Sequence, residues 1–252
     1  MKRYVSAVCL GMLISASASA KIVIFDFTGI LNSTAEINTV TNVTKEVASS
    51  SLNGTAIGPG SVFHGYFSFD TKTPAVSYTE NSPTSAYATY EYPAGDLAGS
   101  LKNSMSITFG QSGRTVTSGN SPFSATSIRV GNSGPDEGYD YLDFVPTSAS
   151  VANGYENMSL NIINSSGTML GSAGLPTTID FDNVDNARFY YDFSSGTGPK
   201  ALTVTGFLTS LTARQTSPVP EPSSDAMLAV GLLTVAAATR RRYRRTGAAP
   251  GR

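Results

Sequence analysis

The sequence predicts an all-β body, and three observations carry that expectation. Large apolar residues alternate with small polar ones in period two along residues 21–216, clusters of Gly, Ser, Asn, Asp and Pro punctuate the alternation, and no stretch of the body shows a convincing amphipathic helix. The composition agrees, because the body is rich in Thr, Tyr, Phe and Gly, poor in Leu and Lys, and the chain has no Trp. The arrangement expected is an antiparallel, jelly-roll-like β-sandwich of about ten strands. A closed barrel satisfies the same pattern.

Taken in order, residues 21–28 (KIVIFDFT) open the body as an apolar strand. Residues 32–60 are rich in Ser, Thr and Asn, and read as one or two edge strands with long loops. In residues 62–70 (VFHGYFSFD), Phe63, Phe67 and Phe69 share one face and His64, Tyr66 and Ser68 the other, before a turn at Asp70-Thr71-Lys72-Thr73-Pro74. Residues 86–92 form the next strand. Met105, Ile107 and Phe109 then alternate with Ser104, Ser106 and Thr108 up to a hairpin tip at 110–113, and the chain returns along 114–117. Further strands are expected at 127–132, 139–145, 158–163, 187–193 and 201–213. The last two form the clearest hairpin, with Phe189, Tyr191 and Phe193 on one face, a Ser/Gly/Pro loop at 194–199, and Leu202 and Val204 resuming the alternation. No repeat of fixed period is present, which argues against a solenoid or propeller.

The body, residues 21–216, is long enough to bury one substantial core. It holds nine Lys and Arg against 16 Asp and Glu, a net charge of −7, whereas the whole chain is at −1. An acidic body without a basic stripe argues against binding nucleic acid, whose affinity comes mostly from neutralising phosphates. The sole cysteine, Cys9, lies in the first 20 residues. If these are removed, disulfides, thiolate metal sites and a cysteine nucleophile go with them.

Candidate chemistry is sparse. His64 is the only histidine and no Gly-x-Ser-x-Gly elbow accompanies it, so it is expected to be a strand residue facing solvent or a hydrogen-bond partner. Asp180, Asp182 and Asp185 alternate as hard-cation ligands do, but the glycine and glutamate of a calcium loop are missing, so a capped turn between strands is expected and no metal is assigned. Asp140 and Asp143 sit beside Tyr139, Tyr141 and Phe144 as a glycosidase pair would. On a strand, though, Tyr139, Tyr141 and Asp143 face one way and Asp140, Leu142 and Phe144 the other. Tyr78, Tyr87, Tyr90 and Tyr92 offer flat apolar rings with polar rims, which suits stacking on sugars as well as packing within a sheet. Five Asn-x-Ser/Thr triplets, at Asn32, Asn42, Asn53, Asn157 and Asn164, are what chance gives in so polar a chain. Phosphate-binding glycine loops are lacking. No catalytic residue and no cofactor is assigned, and the body is not expected to be an enzyme.

The ends are more specific. Met1-Lys2-Arg3 precedes an apolar stretch at 4–14 and the small residues Ala18-Ser19-Ala20, the layout of a cleaved export signal over 1–20. At the other end, Pro220-Glu221-Pro222 precedes an apolar run at 226–239, and Arg240, Arg241, Arg242, Arg244 and Arg245 follow it. The apolar run alone reaches about 21 Å as a helix, short of a hydrocarbon core of about 30 Å. A helix over about 223–243 spans if its arginine stems run along lipid. The positive-inside rule then keeps the arginines cytoplasmic and the body outside. Residues 246–252 form a cytoplasmic trailer.

Pro220-Glu221-Pro222, the apolar run and the arginine cluster resemble the PEP-CTERM sorting tail of exported proteins in exopolysaccharide-producing Gram-negative bacteria. That resemblance, covering 217–245, implies a membrane-embedded, transpeptidase-like exosortase as a partner that cuts near the tripeptide. The body's strand order is similar to a loosely defined group of exported β-sandwich proteins of no assigned activity. The expected role is a non-enzymatic structural or interaction protein, held at the inner membrane with its body in the periplasm and then passed to the cell surface or extracellular matrix. A carbohydrate-binding module for exopolysaccharide is the alternative.

Overall fold

The first apolar run continues far beyond residue 28, into a strand of 17 residues, β1 (Ile22–Asn38). It pairs with neighbouring strands along both of its edges, which fixes it in the middle of the sheet. The structure, a computed structural model, describes residues 22–92, 104–110, 113–118, 126–134, 138–146, 149–151 and 154–214, which belong to one unit of the chain. The twelve strands that follow are β2 (Val43–Glu46), β3 (Val62–Asp70), β4 (Ala75–Ser82), β5 (Ser85–Tyr92), β6 (Ser104–Phe109), β7 (Thr115–Thr117), β8 (Thr126–Ser133), β9 (Asp140–Val145), β10 (Ala149–Val151), β11 (Gly154–Asn164), β12 (Asn186–Ser194) and β13 (Lys200–Arg214). The helical content among the described residues is a single 3₁₀ turn, Phe181–Asn183. No helix among them is long and apolar enough to cross a membrane. The export signal, the sorting tripeptide, the 223–243 span and the arginine cluster lie outside the described residues.

All the strands join one antiparallel sheet in the order β4-β5-β8-β9-β11-β12-β13-β1-β3-β6-β7, with β2 added to β1 and β10 to β11. The all-β expectation holds, as do the strands expected at 62–70, 127–132, 158–163, 187–193 and 201–213. One expectation needs correction. Residues 32–38 extend the central β1 instead of forming an edge, because Thr34 and Ala35 are buried against β13 and only β2 behaves as a short flanking strand. Strand β4 adds to the expected set: its residues AVSYTENS are exposed nearly throughout, and among the described residues it is held through its pairing with β5.

The core is a seam of rings. Phe25, Phe63, Phe67, Phe69, Phe109, Phe144, Phe189 and Tyr191 are all fully buried. Burying each contributes on the order of 2 kcal/mol, and ring pairing adds to that. Phe67 lies 5.3 Å from Phe144, Phe63 lies 4.8 Å from Phe189, and Phe109 lies 5.0 Å from Tyr191, centroid to centroid. Four strands separate β3 from β9 in the sheet order. Rings of β3 and β6 therefore meet rings of β9 and β12 across the fold, not along it. Bulges in β1 at Thr28/Gly29 and Leu31/Ser33 supply bending and extra twist in the strands between. Beside them the Phe63 ring lies over bare backbone: a Cβ on Gly29 would come within 2.2 Å of its Cζ, and one on Gly206 within 2.7 Å of its Cε1.

A second, polar anchor ties the loop after β2 to the sheet. Arg114 Nη2 donates to Glu156 Oε2 at 2.9 Å, and its Nη1 donates to the Asn53 carbonyl. The Tyr191 hydroxyl donates to Glu156 Oε1 at 2.5 Å, and the Arg114 guanidinium stacks 5.4 Å from the Phe193 centroid. Burial, and then the Glu156 carboxylate, push the Tyr191 phenol far above its ordinary range. Glu156 is buried, so its charge is tolerable only with these partners.

Phe63→Ala is expected to cost about 3–5 kcal/mol in urea unfolding, because the two glycines beneath the ring cannot fill the space. A loss under about 1 kcal/mol would mean that the seam repacks freely. Arg114→Met is expected to destabilise by about 2–4 kcal/mol, and adding Glu156→Gln is expected to recover part of that loss by removing the stranded charge. Strict additivity of the two substitutions in the same assay would contradict the pairing.

Candidate functional site

Alternation sorts the candidate residues onto a dry face and a wet face. His64 is exposed on β3, opposite Thr28 of β1 on one side and Thr108 of β6 on the other. Asp180 caps the 3₁₀ turn, accepting from the Asp182 amide at 3.2 Å and from Asn183 Nδ2 at 3.1 Å. Asp185 turns away to accept from the amide and hydroxyl of Ser165, which hold its carboxyl below the usual range. The Asp cluster is thus a capped turn, and no group of three or more metal-ligating side chains occurs among the described residues.

The carboxylates of β9 part company as the alternation requires. Asp140 is fully buried, with Oδ1 accepting from the Ser133 amide at 2.9 Å and Oδ2 from the Leu170 amide at 2.7 Å. It ties the end of β8 to the loop after β11. Asp143 is on the other face, bonded to Asn161 Nδ2 and 3.6 Å from Arg129 Nε. Two carboxylates on opposite faces of one strand cannot share a glycosidic bond between them.

The tyrosine surface is also rearranged. Tyr87 and Tyr90 are three residues apart on β5 and so face opposite ways. Tyr90 points to the core side, where its hydroxyl donates to the Ala173 carbonyl at 2.8 Å and burial raises its pKa. Tyr78 pairs opposite Ala88 on that same side, and the side chain of Tyr92 lies outside the described residues. Tyr87 instead joins two residues that the sequence placed in a different group. Its ring stacks 6.1 Å from Tyr141 at an interplanar angle of 28°, and Tyr139 lies 6.0 Å from Tyr141. Tyr141 covers the bare backbone of Gly131, where a Cβ would come within 2.1 Å of its Cε1. Burial, and then the Asp143 charge, raise the Tyr141 pKa. Tyr139 remains 53% exposed.

These rings stand at one corner of a continuous outer face built by β5, β8, β9, β11 and β12. One cross-strand row runs Thr89, Arg129, Asp143, Asn161, Arg188. It supplies donors and acceptors in fixed geometry next to aromatic platforms, the combination that grips a polyhydroxylated ring. The signal for this site is present in the sequence only as period two in five separate strands; which strands are neighbours is not legible there.

Two comparisons return nothing: no curated protein and no solved structure matches the chain. The PEP-CTERM protein-sorting motif matches at residues 218–245. That span contains Pro220-Glu221-Pro222 and the whole arginine cluster, Arg240 to Arg245. The motif implies an exported protein, anchored in the membrane before processing and sorted by exosortase. The chain therefore carries a PEP-CTERM protein-sorting motif in its tail, and the comparisons say nothing of its body.

Proposed function

We propose that this protein is a non-enzymatic envelope or extracellular-matrix component: a β-sandwich displayed outside the inner membrane and released, or transferred, when exosortase cuts the tail. The sorting motif at 218–245 is the observation that carries the reading. The ring contacts between β3 and β6 on one side and β9 and β12 on the other support the sandwich. A helix over about 223–243 holds the chain until processing, with Arg240, Arg241, Arg242, Arg244 and Arg245 on the cytoplasmic side. Charge supports an extracellular role for the body, since an acidic surface resists association and aggregation. The separation of Asp140 from Asp143 onto opposite faces of β9 weighs against a hydrolase built on that pair.

Carbohydrate binding is the second reading, and the regrouped tyrosines favour it. Tyr87, Tyr139 and Tyr141 give the platform that the sequence spread over β4 and β5, and Arg129, Asp143 and Asn161 supply polar contacts beside it. Exopolysaccharide is the ligand that this setting offers.

Replacing Pro220-Glu221-Pro222 by three alanines is expected to leave full-length protein in the inner membrane of the native host. Intact-mass measurement of the unaltered protein should find a C-terminus close to Pro222. Identical termini for both forms would remove exosortase processing from the account. For the second reading, Tyr139→Ala is expected to weaken binding to the host's own polysaccharide about tenfold, roughly the worth of one stacked ring, in affinity electrophoresis. Unchanged mobility would dismiss the tyrosine corner as a binding surface.

A further inference from the structure

Two exposed apolar patches lie away from the tyrosine corner, and the first is a stripe on the outer face of the sheet. Phe207 of β13 stands opposite Ile30 of β1, and Ile30 stands opposite Val62 of β3; the three side chains are 40%, 44% and 52% exposed. Arg188 of β12, also exposed, stands opposite Phe207 at one end of the stripe. The four positions cover three strand spacings, about 14 Å. Single exposed apolar residues are ordinary, but three in one row beside a cation mark a contact surface.

Arg188 is held ready for an anion. Its guanidinium carbon lies 5.6 Å from the Phe207 ring centroid, and its Nε donates to Asn186 Oδ1 at 3.2 Å. The other three arginines among the described residues each meet a carboxylate: Arg114 meets Glu156, Arg129 meets Asp143 and Arg214 meets Asp26. Arg188 meets none among those residues, so its two terminal nitrogens are free to grip one from outside.

The second patch is β4. Val76 and Tyr78 are 56% and 60% exposed, and Glu80, on the same side of the strand as Tyr78, is exposed and forms no ion pair among the described residues. Register shifts near both ends of β4 guard its free edge against the addition of another strand, so what it offers is side chains. Tyr78 and Glu80 lie opposite Ala88 and Ala86 on the core side of the sheet, whereas Arg188 is on the outer face, five strands along. One molecule cannot bring the two patches together. Two copies can.

We propose that the stripe of Arg188, Phe207, Ile30 and Val62 on one copy receives β4 of a second copy, with Tyr78 laid on Phe207 and Ile30 and Glu80 on the Arg188 guanidinium. Charge selects the occupant. A body at −7 repels its like over most of its surface, and this docking sets a free arginine against a free carboxylate beside matching apolar side chains. Because the two patches differ, the contact is head-to-tail: each addition leaves one patch of each kind open, and the product is an open chain or a ring rather than a closed dimer. The patches are small, so the contact is weak and builds up only at high local concentration. It uses none of the tyrosine-corner residues and stands or falls apart from sugar binding.

The test is sedimentation velocity of the full chain in detergent, from micromolar to near-millimolar concentration. The parent is expected to grow past a dimer as concentration rises. Arg188→Glu and Glu80→Arg are each expected to weaken association by about tenfold or more, since each sets like charges face to face. An equimolar mixture of the two variants, or the double variant, is expected to recover it, because opposite charges then meet again at every contact. Recovery also shows that the single variants are folded. Tyr78→Ser is expected to weaken association as well. A parent that stays monomeric would overturn the proposal and leave the stripe to a different partner. Growth that stops at a dimer, association indifferent to both charge reversals, or losses that neither the mixture nor the double variant repairs would overturn it too.

Discussion

Everything in the body depends on the contact of β3 with β12 through Phe63 and Phe189, and on the two glycines that let the Phe63 ring lie against the backbone of β1 and β13. A single antiparallel sheet of this length exposes both faces unless it folds over. Here the bulges of β1 bend it, and the rings of β3 and β6 close over β9 and β12. Once that closure is made, alternation does the rest: odd or even position alone decides whether a side chain of β9, β11 or β12 is dry or wet. A one-residue slip in any of these strands would exchange the two sets, burying Asp143 and Arg188 and exposing Phe144 and Phe189.

Much of this could be read from the residues before any coordinates. The face of β3 carrying Phe63, Phe67 and Phe69, and the opposed faces of β9, followed from period two because each strand has large apolar residues on one side only. Period two says nothing of a strand that is exposed throughout, which is why β4 escaped notice. It also fails where both faces are covered: Ser68, Ser104 and Ser106 are buried although they alternate with the apolar set, and Ser68 and Ser104 bond to each other at 2.9 Å. Small hydroxyl residues are equally at home on a wet face and in a dry, paired layer. Pairing order was the hardest quantity to see. Tyr87 meets Tyr141 only because β5 and β9 both flank β8, a neighbourhood that a separation of 54 positions in sequence does not announce.

The candidate site suffered most from this blindness. Grouping tyrosines by closeness in sequence put Tyr87 with Tyr90, and the pleat sets them on opposite faces. Grouping carboxylates in the same way put Asp140 with Asp143, which the pleat also parts. The residues that form a coherent surface come instead from β5, β9, β11 and β12. The tail behaves differently because its signal is linear. A tripeptide, an apolar run and a basic cluster act in sequence order, so the sorting motif at 218–245 needs no fold to be recognised.

On the proposed reading, the tail sets the destination and a sheet face meets what is found there. Its central physical claim is that one alternation has sorted the tyrosines into a sealed set and a ligand-facing set. Hydroxyl-radical footprinting read by mass spectrometry, residue by residue and with or without the host's own polysaccharide, measures that sorting directly. The account predicts an unlabelled Tyr191 and a labelled Tyr139 in the free protein, and loss of label from Tyr139, but not from Tyr78, when the polymer is added. Label on Tyr191 in the folded protein, or a polymer that shields Tyr78 and leaves Tyr139 open, would contradict it.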